Sequence, residues 1–282
     1  MHIHLRRLTA FAALAVGLMA QASPASAAFP DRETVAASSV NNSVDKGVTV
    51  TCPAGKRVVG SGADIGGYRA GDGAVVLDDV IPTSTTVTAY AFEVEEGTSL
   101  TWTIRAWAVC GNPNGSMTTS SRASVTSSNN KSVTVTCPVG KVVLGSGAAI
   151  TGGLGEVVID EIIPTTTTLT ATGVEDPTGG GYFPAWSIRA YARCGDEPGG
   201  REIVSSATTS NSVDKNGSAP CPTGKVVFGG VFDIIGGAGE TFIDDFIPTT
   251  GSVLTTGMEH DDGSDDNGRN WSLRSYAVCG TA

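Results

Sequence analysis

Three ten-residue stretches decide the fold of this chain: WTIRAWAVCG at 102–111, WSIRAYARCG at 186–195 and WSLRSYAVCG at 271–280. Successive side chains of a β-strand point to opposite sides, so residues two apart share a face. The apolar face of the first stretch comprises Trp102, Ile104, Ala106, Ala108 and Cys110. The pattern predicts a core strand whose buried face begins with a tryptophan and ends with a cysteine.

The same unit recurs at a period of about 84 residues. Each copy also contains a CPxGK motif, at 52–56, 137–141 and 221–225, and an acidic pair before a proline, as in LDDVIPT at 77–83. Further alternating segments at 57–61, 75–80 and 85–91 predict strands, and the mature chain lacks clear helical periodicity. We therefore expect an all-β protein of three homologous antiparallel β-sandwich or small-barrel units of about 80 residues. Their ranges are 34–111, 120–195 and 202–281, and a single three-sided β-prism with one shared core is the alternative.

The six cysteines follow the repeat, with two in each unit. One opens the CPxGK motif and the other closes the Trp-to-Cys strand, so their spacing is nearly constant. Paired cysteines in an exported protein are typical of disulfides, whereas zinc sites usually carry CxxC motifs or histidine clusters, which are missing here. The repeat therefore predicts the pairs Cys52–Cys110, Cys137–Cys194 and Cys221–Cys279.

Residues 1–27 are typical of a secretory signal peptide. Arg6 and Arg7 precede an apolar stretch from Leu8 to Ala20, and Ala25-Ser26-Ala27 forms a small-residue cleavage site. Cleavage near Ala27 changes the net charge from −10 to −12, because two arginines leave. No later apolar run is long enough to span a bilayer, so we expect a secreted, extracellular protein without a membrane span.

The composition and the motifs disfavour several function classes. An acidic balance disfavours nucleic acid as a partner. The chain has no GxSxG elbow, HExxH motif or phosphate loop, and His260 is the sole histidine of the mature chain. We therefore expect a non-enzymatic protein without a catalytic site or a required cofactor. A paired-carboxylate hydrolase is the less favoured alternative.

The polar face of the Trp-to-Cys strand carries the main candidate site. It places an arginine and an aromatic residue two positions apart in every unit: Arg105 and Trp107, Arg189 and Tyr191, and Arg274 and Tyr276. Aromatic rings can stack on sugar rings, and arginine can donate hydrogen bonds to hydroxyl groups. This face is a candidate ligand-binding surface. The alternative is a second packing layer, or a contact between units, in which each arginine stacks on its own ring.

Acidic residues form the second group of candidates. The pairs Asp78-Asp79, Asp160-Glu161 and Asp244-Asp245 recur in the repeats. Adjacent strand residues point to opposite faces, so we expect the two carboxylates of a pair not to converge. One of them would then satisfy backbone amides at the proline turn or pair with a repeated lysine or arginine, and calcium binding is the alternative.

The acidic loop EHDDGSDDNGRN at 259–270 offers a weak calcium site at Asp262 and Asp266. Their spacing resembles the first ligands of a calcium loop. However, Asn267 occupies the place of the usual glycine, and no glutamate closes the loop. A solvated acidic loop is the favoured interpretation.

The pattern CPxGKxVxG followed by WxxRAYAxCG resembles a cysteine-paired β repeat of exported actinobacterial proteins whose role is unassigned. The resemblance extends over most of residues 34–281. It implies an exported β protein and brings no catalytic residues with it. We expect a binding or surface-association protein whose three modules act by avidity on an extracellular polysaccharide or a cell-envelope component. A structural or matrix protein, or an inhibitor that binds a secreted protease, is the alternative.

Overall fold

The structure is a computed structural model that describes residues 29, 31–67, 74–94, 97–112, 115–177, 182, 184–260 and 269–281. The predicted signal peptide lies outside these residues. Within them the chain forms eighteen β-strands and no helix. The expected all-β class is therefore confirmed.

Each repeat contributes six strands in the same order. The first repeat contains β1 (Glu33–Ser38), β2 (Lys46–Thr51), β3 (Arg57–Gly66), β4 (Val75–Pro82), β5 (Thr86–Glu93) and β6 (Thr103–Gly111). The second contains β7 (Thr118–Ala123), β8 (Lys131–Thr136), β9 (Val142–Thr151), β10 (Val157–Pro164), β11 (Thr168–Glu175) and β12 (Ser187–Gly195). The third contains β13 (Glu202–Ala207), β14 (Lys215–Pro220), β15 (Val226–Ile235), β16 (Thr241–Pro248), β17 (Ser252–Glu259) and β18 (Ser272–Gly280).

These strands form three antiparallel six-stranded sheets, and each sheet combines strands of two repeats. The strand orders are β1-β6-β3-β16-β17-β14, β2-β5-β4-β9-β12-β7 and β13-β18-β15-β10-β11-β8. Within the first repeat, β2 and β5 of one sheet contact β6 of another. Each repeat is therefore a two-layer sandwich, as predicted, and the three sandwiches also share their sheets, as the three-sided alternative requires.

Neighbouring repeats join by short antiparallel pairings in the middle of each sheet. Only one or two residue pairs are in register at each junction, so the paired strands diverge soon after they meet. The registered pairs are Asp245–Asp64 and Phe246–Ala63, Asp79–Ala149 and Val80–Ala148, and Glu161–Asp233. Each junction therefore sets the second acid of a pair opposite a fixed position of the next repeat.

The inner faces of the three sheets enclose one core. Trp102, Trp186 and Trp271 are fully buried, and one hydrophobic cluster contains residues of all three repeats. The three predicted disulfides are confirmed, with Cα–Cα distances of 5.7 Å. In each repeat the disulfide joins the end of one sheet to a strand of another. It therefore links the two layers of the sandwich.

Strands β3, β9 and β15 converge at one end of the core, which we call the axial end. Three glycines approach each other there, and each would place an added Cβ against the backbone of another repeat. That Cβ would lie 2.0 Å from the Phe228 oxygen for Gly60, 2.2 Å from the Val59 oxygen for Gly145 and 2.5 Å from the Leu144 oxygen for Gly229. Any side chain would force these strands apart, so the junction requires glycine. A β-bulge falls next to Gly60, because the β3–β6 register shifts between Val58 and Gly60.

An arginine from the next repeat hydrogen-bonds a carbonyl at each β-bulge of the axial end. Arg32 donates to the Val227 oxygen at 2.5 Å, and Arg201 donates to the Val143 oxygen at 2.8 Å. The third carbonyl, that of Val58, accepts a bond of 2.9 Å from Arg193, which is 1% exposed. These bonds close the three repeats into a ring. Burial lowers the pKa of Arg193 to about 10, so the guanidinium keeps its charge at neutral pH.

Candidate functional site

The arginine and aromatic candidates lie on the outer faces of the three sheets, close to the junctions between repeats. We name each face after the strand that carries them: the β6 face (Arg105, Trp107), the β12 face (Arg189, Tyr191) and the β18 face (Arg274, Tyr276). The opposite side of each strand is buried in the core, as alternation predicted. The aromatic residues are half-buried, so each keeps part of its surface in solvent.

On the β6 face, a carboxylate lies between the arginine and the ring. The indole nitrogen of Trp107 donates to Asp64 Oδ1. Arg105 Nε lies 3.9 Å from the same oxygen, and the Arg105 guanidinium is 5.6 Å from the Trp107 ring centroid. The Arg105 side chain is 44% exposed, whereas that of Asp64 is 14% exposed. The cluster therefore presents a fixed acceptor, an accessible donor and a ring edge within one small area.

The β18 face repeats this arrangement with different residues. Arg274 Nη1 lies 3.5 Å from Asp233 Oδ2 and 3.5 Å from the Tyr276 hydroxyl, and this hydroxyl donates to Asp233. Burial and the nearby Glu161 raise the pKa of Asp233, while Arg274 and Tyr276 oppose that rise. The carboxylate is thus held by two donors, and the arginine remains 40% exposed.

The β12 face differs because it lacks this carboxylate. Ala149 stands at the position of Asp64 and Asp233 in the repeat. Arg189 is exposed and forms no ion pair with any described residue. Mainly through burial, the pKa of the half-buried Tyr191 hydroxyl is raised. The donor and the ring are therefore present on this face without the acceptor between them.

The prediction that the carboxylates of each acidic pair diverge is wrong for two pairs. A β-bulge falls between Leu77 and Asp79, and another between Ile243 and Asp245. A bulge sets two residues opposite one, so neighbouring side chains can turn to the same side. Asp78 hydrogen-bonds Asp79, and Asp244 hydrogen-bonds Asp245.

Burial makes these acids poorly ionised. It is the largest cause that raises the pKa of Asp78 and Asp244, and their acidic neighbours raise it further. The pKa of Asp160 rises to about 7 through burial and the charges of Glu161 and Asp233. The first acid of each pair, buried in the case of Asp78 and half-buried in the other two, therefore holds its proton well above the usual pH range of an aspartic acid.

The second acid of each pair bonds to neighbouring strands. Asp79 Oδ1 accepts the backbone N–H of Ile150 at 3.1 Å across one junction, and Asp245 accepts that of Ile65 across another. Both acids satisfy backbone amides, but the expected location at the proline turn is wrong, because the amides belong to the next repeat. The repeated lysines do not pair with these acids: Lys56 binds Glu33, Lys141 binds Asp196 and Lys225 binds Glu202.

A third repeated cluster surrounds the glutamate that ends the fifth strand of each repeat. Glu93, Glu175 and Glu259 accept the indole N–H of the buried tryptophans at 2.8, 2.7 and 2.6 Å. Lys46 and Lys131 lie 3.4 Å from the centroids of the same rings, and Lys215 lies at 4.2 Å. These residues hold the core tryptophans in place.

Nothing in the described residues groups three or more His, Cys, Asp or Glu side chains so that they could hold a metal ion. The weak calcium candidates Asp262 and Asp266 lie outside the described residues. The acidic pairs are therefore best described by the contacts above.

Asp64 and Asp233 are the site residues that the sequence interpretation missed. The strand at 57–61 was predicted to end at Ser61, whereas β3 continues to Gly66. Extending the alternation by three residues would have placed Asp64 on the same outer face as Arg105, opposite it in the register. A lone aspartate within an apolar strand was the available signal.

These features define a class of protein: an all-β repeat protein with one disulfide in each repeat and an arginine beside an aromatic residue on each of three sheet faces. No protein-family model matches the chain, and a search of curated proteins finds none that is similar. None of the described segments is a helix long and apolar enough to cross a membrane. The three disulfides are consistent with an extracellular location.

Proposed function

We propose that the protein is an exported, non-enzymatic binding protein that binds polysaccharide at the outer faces of its sheets. The observation that carries the proposal is the cluster of Arg105, Asp64 and Trp107, which the β18 face repeats with Arg274, Asp233 and Tyr276. An aromatic ring covers the apolar face of a sugar at low entropic cost. The neighbouring guanidinium and carboxylate supply a donor and an acceptor for adjacent hydroxyl groups.

The charge of the site favours a neutral sugar polymer. After loss of the predicted signal peptide the chain carries a net charge of −12, and the second acid of a pair lies opposite a residue of each face. A polymer of uronic acids or phosphates would be repelled by this field. Neutral pyranose chains avoid that penalty and still use the hydrogen-bonding groups.

The arrangement of the sheets bears on how several sites would act together. The three outer faces surround one core and so point in different directions. A flat surface meets one face at a time, and avidity is lost where the geometry forbids simultaneous engagement. We therefore expect multivalent binding to bridge separate chains of a polymer.

Co-sedimentation of residues 28–282 with insoluble cellulose and chitin tests the proposal. One variant combines Trp107→Ala, Tyr191→Ala and Tyr276→Ala, and a second combines Arg105→Ala, Arg189→Ala and Arg274→Ala. The second retains the half-buried rings and so keeps the test valid if the first unfolds. A control combines Val125→Ala, Val139→Ala and Val213→Ala, which are 78%, 104% and 58% exposed and lie outside the β-strands.

We expect the wild type and the valine control to sediment with at least one polymer, and the folded site variants to stay in solution. Assays with and without a chelator would report any calcium dependence. Absence of binding by the wild type, or full binding by both site variants, would reject the proposal.

A further inference from the structure

The three sheet faces are not equivalent, and the difference lies at one position of the repeat. Asp64 on the β6 face and Asp233 on the β18 face each lie between an arginine and an aromatic residue. On the β12 face the same position is Ala149. The other parts of the site, Arg189 and Tyr191, are present there.

The carboxylate does two things that an alanine cannot do. It accepts a hydrogen bond from the polar group of the aromatic side chain, the indole N–H of Trp107 or the hydroxyl of Tyr276, and so fixes the ring in one orientation. It also adds an acceptor beside the arginine donor, which is the combination that two neighbouring sugar hydroxyls require. A site with the donor and ring alone is neither preorganised nor complete.

Packing does not explain the absence of the carboxylate. Asp79 stands opposite Ala149, just as Asp245 stands opposite Asp64 and Glu161 stands opposite Asp233. The fold therefore accommodates an acid at this position beside a second acid from the next repeat. Nothing in the register distinguishes the β12 face from the other two.

We propose that the protein binds two chains of a neutral pyranose polymer, one on the β6 face and one on the β18 face, and that Ala149 leaves the β12 face without a competent site. This inference rests on the proposed function, which it deepens by assigning the number of sites and the residue that determines competence. Because the two competent faces belong to different sheets, the protein is a divalent cross-linker.

Titration calorimetry with four neutral hexasaccharides, cellohexaose, xylohexaose, mannohexaose and N-acetylchitohexaose, measures the number of sites. We expect two sites in the wild type and three in Ala149→Asp. Thr151→Asp adds the same charge on the same face of β9, one outward position further from Tyr191, and is expected to retain two sites. Asp64→Ala and Asp233→Ala should each leave one site, with at least about a tenfold loss of affinity at the altered face, since a hydrogen bond to a charged group is removed.

Tryptophan fluorescence identifies which face is occupied. All four tryptophans lie in the described residues, and Trp107 is the one that is not fully buried. The ligand-induced change in emission should therefore disappear in Asp64→Ala and persist in Asp233→Ala. Thermal unfolding of each variant verifies that it is folded.

The outcomes separate the two proposals. Three sites in the wild type, or unchanged stoichiometry in Ala149→Asp, would overturn this inference and leave the proposed function standing. Failure of the wild type to bind any of the four hexasaccharides would reject the binding of neutral pyranose chains itself, and this inference with it.

Discussion

Repeat 2 departs from the other repeats at the axial end and on its outer face, and only the first departure is compensated. At the axial end, Met117 stands where the other repeats carry Arg32 and Arg201. Arg193, on the adjacent strand β12, instead donates to the equivalent carbonyl of Val58. The hydrogen bond is thus retained although its donor has moved to another strand.

On the outer face, the loss of the carboxylate at Ala149 is not compensated in this way. No described carboxylate takes its place in an ion pair with Arg189. The difference indicates which groups the fold requires. Carbonyls buried at the axial end must be satisfied, because an unpaired buried acceptor costs about 1–3 kcal/mol, whereas half-exposed groups can bond to water. We therefore expect the outer carboxylates to be dispensable for folding, as the proposed binding role requires.

The largest effect on stability should come from adding a side chain to one of the three glycines at the axial end. Gly145→Ala would place a Cβ 2.2 Å from the Val59 oxygen and 2.6 Å from the Gly60 Cα, both backbone atoms of another repeat. We expect a loss of more than about 3 kcal/mol in the free energy of unfolding, or a failure to fold, because the backbone cannot move aside cheaply. Urea denaturation measures this.

A glycine outside the axial end provides the control for that substitution. Gly251 has no atom within 4 Å of an added Cβ, so Gly251→Ala should leave the stability nearly unchanged. Equal effects of the two substitutions on stability would show that the glycines of the axial end lie less close to the neighbouring backbone than described.

Arg193→Val should have the next largest effect and tests the compensation directly. Valine occupies the equivalent positions 109 and 278. The substitution removes the bonds from Arg193 to the Val58 oxygen and to Thr119 Oγ1, at 2.9 and 2.5 Å. We expect a loss of about 2–4 kcal/mol in the free energy of unfolding, because a buried acceptor loses its partner.

The matched rescue is Met117→Arg in the Arg193→Val background, which recreates the arrangement of repeats 1 and 3. A double-mutant cycle should recover at least about 1 kcal/mol of the loss. Strict additivity of the two substitutions would contradict the claim that one arginine replaces the other.

The sequence was sufficient to predict the parts of the fold that depend on alternation and on the repeat. These are the Trp-to-Cys strands, the disulfide pairs and the two-layer units. The first strand of each repeat was not predicted, because segments such as 118–123 (TTSSRA) are polar edge strands with little alternation. The sequence could not decide whether the repeats share sheets, because a junction of one or two registered pairs leaves no distinct sequence pattern.

The candidate site was predicted in part for a related reason. Arginine and the ring lie two apart on one strand, so alternation alone brings them together. Asp64 comes from a different strand and requires the register of β3 with β6. The convergence of Asp78 and Asp79 was missed because a bulge breaks the alternation on which the prediction relied.

The acidic pairs recur in all three repeats, and they make a smaller, pH-dependent contribution. Burial raises the pKa of Asp160 from 3.8 to about 7. The folded state therefore holds this proton more tightly than the unfolded state, so the stability that it contributes is complete below about pH 4 and is lost as the pH rises toward 7. Asp160→Asn imitates the protonated form and should stabilise the protein at pH 8 by about 1–3 kcal/mol, with little effect at pH 4.

Thermal unfolding of wild type and Asp160→Asn across this pH range measures the difference. Asp196→Asn is the control, because Asp196 is 51% exposed and its ion pair with Lys141 is at the surface. A stabilisation by Asp160→Asn that is equal at pH 4 and pH 8 would mean that the buried acid does not titrate in this range.

The smallest effect on stability is expected for Asp64→Ala, and this result matters most for the comparison. The substitution gives the β6 face the residue that the β12 face already has, and the groups that lose their partner, Arg105 and Trp107, reach solvent. The free energy of unfolding should change by less than about 1 kcal/mol, as for other partly exposed ion pairs. If Asp64→Ala destabilised the protein as much as Arg193→Val, the carboxylate would be a requirement of the fold, and the contrast between the axial end and the outer faces would not hold. A small loss of stability combined with a lost binding site is the result that only a binding role for Asp64 explains.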